Sequence, residues 1–144
     1  MTTRKSKESI EQKIIVGFFR GLWWLIKLPF SGFKKKSGLS VSDQQYLISK
    51  KNEIEELLHS DDQIELRHAV MEADKLIDWI LKTKGYVGAT FADRLRSAEK
   101  DIPESIYNNI WQGHKIRNQI AHDDTGFSNE ELRSAARKLL RYVG

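Results

Sequence analysis

The chain has no cysteine, two prolines and nine glycines in 144 residues. Without a thiol there is no disulfide framework, no thiolate zinc site and no cysteine nucleophile, so redox and cysteine-protease chemistry are excluded. Few glycines and prolines mean few chain breakers, which favours helices held by packing alone. No stretch alternates with period two, so no sheet is expected. No Gly-rich phosphate loop follows a strand, and no serine stands in a nucleophile elbow. The four histidines, His59, His68, His114 and His122, form no His-Glu-x-x-His pattern and join no paired di-iron carboxylates. No metal and no cofactor are therefore expected. What is present is 31% charged and 40% hydrophobic residues, a composition that suits a folded domain.

The net charge of +4 hides a division. Residues 1–36 carry nine basic and two acidic side chains, a net +7, whereas residues 37–144 carry fifteen and eighteen, a net −3. The first part is read as a basic, aromatic-rich module that associates with membrane. Its segment Ile14 to Phe33, IIVGFFRGLWWLIKLPFSGF, has the length of about 20 residues that a bilayer core needs. Arg20 and Lys27 interrupt it, each costing roughly 2.5 to 3.5 kcal/mol in a spanning helix. Lys13, Arg20, Lys27 and Lys34 recur every seventh residue, which aligns them on one helical stripe. A helix lying in the membrane plane keeps that stripe in water, sets Trp23 and Trp24 at the interface, and gains from Lys34, Lys35 and Lys36 about 1 kcal/mol per cation near anionic lipid. In-plane and spanning forms both follow from this pattern. The alternatives are a helix packed on the second module, an oligomerisation helix, or a nucleic-acid contact, the last disfavoured by the density of apolar aromatics.

Residues 37–42, SGLSVS, read as a short linker, too brief to carry the next module far from whatever holds the first. Residues 43–144 then supply a series of helix starts. Capping-box patterns stand at Ser42 with Gln45, Ser60 with Gln63, Thr90 with Asp93, Asp101 with Glu104, and Ser128 with Glu131. Pro103 is expected in the first turn of the fourth helix, and Gly85 beyond the end of the second. The expected fold class is all-α: an antiparallel bundle of four long helices and one short, preceded by the hydrophobic, amphipathic membrane helix. Turns are placed near Gly85 to Ala89 and Asp123 to Phe127.

The helix expected to end near His122 is the one with unusual chemistry. Ile106, Ile110, Gly113, Ile116 and Ile120 fall on one side, facing the core. His114, Asn118 and His122 follow at steps of four on the other, extended by Tyr107 and Trp111. Arg117 lies between, with its stem against packed side chains and a need for an acidic neighbour. Asp74, flanking the inner face of the second bundle helix, is the first candidate, with Glu72 and Asp78 behind it. His114, His59 and His68 read as surface histidines, and Trp79 and Trp111 as packing aromatics.

Arg117-Asn118-Gln119-Ile120-Ala121-His122 resembles the signature of the HEPN superfamily, an Arg, a polar residue and a His after a short gap, set late in a helical bundle. The segments EADKLIDWILKTKGY and HKIRNQIAH are also similar to small uncharacterised bacterial proteins with an amino-terminal hydrophobic helix. The resemblance implies a homodimer. It admits two functions. In the first the chain is a membrane-associated interaction or scaffold module on the cytoplasmic side, with an anionic membrane surface and a protein as partners. In the second it is a metal-independent endoribonuclease acting on RNA at a dimer cleft. There Arg117 would neutralise phosphorane-like charge, His122 would act as general acid or base, and Asn118 would hold the phosphate or His122, with His114, Asp74 and Glu72 in support. A net acidic bundle favours the first, since RNA binding draws on positive charge. Arg117 and His122 are also five residues apart, about 140° around an ideal helix.

Overall fold

A computed structural model describes residues 38–122 and 126–144. Among these residues five helices follow in order: α1 (Val41–Leu57), α2 (Gln63–Thr83), α3 (Phe91–Ser97), α4 (Glu104–Ala121) and α5 (Asn129–Leu140), with single 3-10 turns at Glu99–Asp101 and Arg141–Val143. No strand occurs among the described residues, and the all-helical fold is as expected, four long helices and one short. The residues expected to associate with membrane, Arg20, Trp23, Trp24, Lys27, Lys34, Lys35 and Lys36, and part of the expected turn before Phe127 lie outside the described residues. Among those described, no helix is long and apolar enough to cross a membrane.

Local hydrogen bonding decides where each helix begins. Thr90 with Asp93 and Ser128 with Glu131 form the expected capping boxes. The cap of α1 instead stands two residues before the expected Ser42, inside the stretch read as linker. It is Ser40, whose hydroxyl accepts from the Asp43 N–H at 3.1 Å and donates to the Asp43 carboxylate at 2.6 Å. A carboxylate at the third position accepts more strongly than the Gln45 amide and suits the positive end of the helix dipole. Similarly, Asp62 rather than Ser60 caps α2, accepting from the Ile64 N–H at 2.8 Å, while Ser60 supports the preceding turn through the Asp62 N–H. α4 has no side-chain cap. Pro103 occupies the cap position, where its lack of an N–H leaves no donor unsatisfied, and Asp101 accepts from the Tyr86 hydroxyl at 3.3 Å. α2 ends as expected, with Gly85 at φ +84° just beyond it, a backbone state that glycine adopts without cost.

The core is built on α2, which buries Leu66, Ala69, Val70, Ala73, Leu76, Ile77, Ile80 and Leu81 and packs against each of the other four described helices. α5 adds Leu132, Ala136 and Leu139, and α4 adds Ile110. α1 contributes Ile54, with Leu58 just past its end. Arg133 of α5 secures that end, donating to the Leu58 and Ser60 carbonyls at 3.1 and 2.7 Å, groups that a helix terminus otherwise leaves unpaired. α4 and α5 approach closely at Gly113, where a Cβ would lie 2.5 Å from Leu139 Cγ and 2.9 Å from the Ala135 carbonyl oxygen.

Two outcomes follow from this packing and capping. Gly113→Ala gains about 1 kcal/mol of helix propensity but forces an overpacked contact costing about 1 to 3 kcal/mol, so urea unfolding should show a net loss of stability. A variant more stable than the parent contradicts the close approach. The second concerns Glu131. The Ser128 backbone N–H and hydroxyl both donate to its carboxylate, at 2.8 Å each, and hold its pKa below the ordinary glutamate value. A carboxyl group held low in the folded state stabilises above its unfolded pKa, and that contribution is lost as pH falls through the folded value. Glu131→Gln should therefore lower the melting temperature at neutral pH, and the gap from the parent should close as pH falls below the glutamate range. A gap that persists in acid contradicts the charged cap.

Candidate functional site

Asp74 is the buried charged residue of the described core, 5% exposed on α2. A carboxylate in that position must be met by donors, since an uncompensated buried charge costs several kcal/mol. α4 supplies them. His114 Nδ1 lies 2.8 Å from Asp74 Oδ1, and Arg117 Nε lies 3.5 Å from Asp74 Oδ2. The second contact is an ion pair without hydrogen-bond alignment, for Arg117 Nε is buried and donates to nothing. Arg117 Nη1 instead donates to Asn118 Oδ1 at 3.1 Å, and Asn118 Nδ2 lies 3.1 Å from His114 Nε2. The four side chains close a circuit from Asp74 through His114, Asn118 and Arg117 back to Asp74.

One proton arrangement satisfies this circuit. Arginine only donates, so the Asn118 atom facing it must be the carbonyl oxygen. The Asn118 amide NH2 then faces His114 and donates, which makes His114 Nε2 the acceptor. The imidazole proton is left on Nδ1, where it is donated to Asp74. The Asp74 carboxylate, which only accepts, requires the same proton on Nδ1, so the Asp74 side and the Arg117–Asn118 side of the ring select one tautomer.

Aromatic packing fixes the ring plane. Phe91, at the start of α3, stacks on His114 with centroids 4.1 Å apart and planes within 9°. Trp111 meets the imidazole at 73° with centroids 6.1 Å apart, and Tyr107 meets Trp111 at 81°. Arg94 holds Phe91 in place. Its Nε donates to Asp78 Oδ1 at 2.8 Å and its Nη1 to the Gly88 carbonyl at 2.6 Å, tying the loop before α3 to α2. That loop is tight: a Cβ on Gly88 would lie 2.6 Å from both Arg94 N and Asp93 Cβ.

Several sequence expectations change accordingly. Asp74 is the acidic partner of Arg117, as expected, but its shorter contact is to His114. His114 is not a surface histidine: its side chain is 13% exposed because Phe91 covers it. Glu72 and Asp78 do not reach Arg117. Glu72 pairs with Lys75 at 2.6 Å and His68 at 3.6 Å, and the Lys75 hydrogen bond lowers its pKa. Asp78 is shared between Arg94 and Lys82. Trp79 packs against the core with Tyr46, centroids 4.6 Å apart. Phe91 and Arg94 escaped sequence reading as site residues. Phe91 showed only as an apolar position, and no spacing signal links Arg94 to Asp78 of another helix.

Arg117 and His122 do not share a cleft within the chain. Arg117 lines a cavity of about 360 Å³ with Asp74, Arg94, Thr90 and Phe91. His122, the exposed residue that ends α4, lines another of about 610 Å³ with Trp111, Lys115 and Gln119. His114 and Asn118 stand between and border both. No protein-family model, curated protein or solved structure matches the chain.

The burial of Asp74 separates these residues in their effect on stability. Asp74→Ala should cost about 3 kcal/mol, near the lower end for breaking a buried pair. Arg117→Ala should cost about 1 to 2 kcal/mol, because Arg117 is 32% exposed and solvent screens part of its interaction. His122→Ala should stay within about 0.5 kcal/mol of the parent. Urea unfolding of the three variants checks the order, and equal losses in all three contradict it.

Proposed function

We propose that the protein is a HEPN-like helical interaction module held at an anionic membrane surface on the cytoplasmic side. The observation that carries this reading is the engagement of Arg117. Its guanidinium is hydrogen-bonded to Asn118 and ion-paired with the buried Asp74, so its charge already compensates one inside the fold. An arginine that stabilises a pentavalent phosphorus must direct that charge at the substrate in the transition state. His122, which would complete such a centre, borders a different cavity. The net charge of −3 over residues 37–144 supports the same reading, because a polyanion gains little from a surface of that sign. Membrane attachment rests on residues 1–36, with a net +7, the paired Trp23 and Trp24, and the lysine triplet Lys34 to Lys36.

The test uses the full chain on anionic vesicles, incubated with mixed RNA in EDTA beside Arg117→Ala and His122→Ala. The RNA should stay intact with all three proteins. Cleavage that both substitutions abolish assigns the ribonuclease function instead. Deleting residues 1–36 should release the protein from phosphatidylserine vesicles, and replacing Lys34, Lys35 and Lys36 with Gln should weaken binding more at low salt than at high. Continued co-sedimentation of the deletion variant contradicts the anchoring role.

A further inference from the structure

Two cavities adjoin along the outer side of α4. One, of about 610 Å³, is lined among the described residues by α4 alone, from Trp111 to His122, and its lining is mainly apolar. The other, of about 370 Å³, lies between α4 and α5, with Ile116 on one side and Ser134, Ala135 and Lys138 on the other. Gln112, Lys115 and Gln119 belong to both, so the two form one trough. Trp111 to His122 spans about 16 Å at the rise of an α-helix, or three turns. That is the footprint of another helix laid alongside.

The chemistry of the walls narrows the occupant. Lys115 and Lys138 make no ion pair among the described residues, and Gln112, Gln119 and His122 make no side-chain hydrogen bond there. The carboxylate on the wall, Glu131, is held by Ser128 at the start of α5. Two uncommitted lysines therefore flank an apolar floor, which complements an apolar stripe bordered by negative charge. Trp111 argues against a nucleobase. The Arg96 guanidinium lies over its ring, 5.5 Å from the centroid, and Tyr107 and His114 press on it at steep angles. Base stacking requires an uncovered ring face, whereas an aliphatic side chain requires only an apolar wall. Ser134 and Ala135 keep the α5 wall low, leaving room for bulky side chains from outside.

We propose that the α4–α5 trough docks an acidic amphipathic helix of a partner protein. Its apolar residues, at i, i+3 or i+4, and i+7, lie against Trp111 and Ile116, and its carboxylates face Lys115 and Lys138. This inference rests on the interaction-module reading and names the partner's chemistry.

The probe is a fluorescein-labelled synthetic helical peptide with leucines along one face and glutamates on its flanks, compared with a counterpart carrying lysines for the glutamates. Fluorescence anisotropy is measured with the full chain in nanodiscs. The glutamate peptide should bind saturably and the lysine peptide should not. Lys115→Glu combined with Lys138→Glu should weaken the glutamate peptide about tenfold or more and admit the lysine peptide. A misfolded variant cannot produce that exchange of preference. Absence of glutamate-peptide binding, or binding indifferent to the double substitution, overturns the proposal. So does displacement of the peptide by single-stranded RNA, which assigns the trough to nucleic acid. A dimer that Trp111→Glu dissociates overturns it too, by assigning the trough to a second copy. Loss of peptide binding with RNA still intact removes the docking groove and leaves the interaction-module reading standing.

Discussion

A carboxylate buried between two helices is the constraint around which the site is organised. Asp74 sits 5% exposed on α2, the helix that packs against the other four described helices, so its charge must be met by whatever α4 presents. His114 and Arg117, three residues apart, stand close enough on one side of α4 to reach it together. Their contacts at 2.8 and 3.5 Å make the rotational setting of α4 about its axis part of the electrostatics. Turning α4 by a residue would move both donors away and leave the carboxylate uncompensated. Gly113 works in the same sense from the opposite side, allowing α4 to close on Leu139 of α5. Charge pairing and close packing thus fix the same helix from two directions.

This arrangement alters what the Arg-Asn-x-x-x-His pattern means in the chain. Arg117 and Asn118 belong to a hydrogen-bonded circuit whose end product is an oriented imidazole on His114. His122 stands outside it, at the exposed end of α4. His114, which is hydrogen-bonded at both ring nitrogens and stacked on Phe91, is a histidine that the motif does not include. Its Nε2 is occupied by Asn118, and the donor left without a hydrogen bond in the circuit is Arg117 Nε, which meets Asp74 as an ion pair alone. One side of α4 thus carries the contacts that build the bundle, while Lys115 on its outer side makes no ion pair among the described residues.

Much of the fold was legible because it depends on short-range signals. The caps at Thr90 and Ser128, the glycine beyond α2 and the apolar stripes of α2 and α5 are all set within a few residues. The caps that moved did so where two polar residues competed. Ser40 displaced Ser42 because Asp43 answers it with an ionised carboxylate, and Asp62 displaced Ser60 for a similar reason. The pairing of Asp74 with Arg117 could be read from helical phase and charge. The depth of His114 could not, because it depends on Phe91 arriving from α3. That arrival depends on Arg94 reaching both Asp78 and the Gly88 carbonyl, contacts that cross between elements and leave no period in the sequence. For the same reason Trp111 and His122 could be placed on one ridge, but the separation of His122 from Arg117 by the His114–Asn118 pair emerges only in three dimensions.

The central claim is that the circuit around Asp74 is closed and that Arg117 belongs to it. Nitrogen-15 NMR of the imidazole rings at neutral pH, with the His114 signals assigned by His114→Gln, tests this most directly. A closed circuit requires a single tautomer for His114, protonated at Nδ1 and pyridine-like at Nε2. In Asn118→Ala and Arg117→Ala Asp74 keeps that proton on Nδ1, and the Nε2 resonance moves as its hydrogen bond is lost or loosened. A ring protonated at Nε2, or one averaging between tautomers in the parent protein, contradicts the claim.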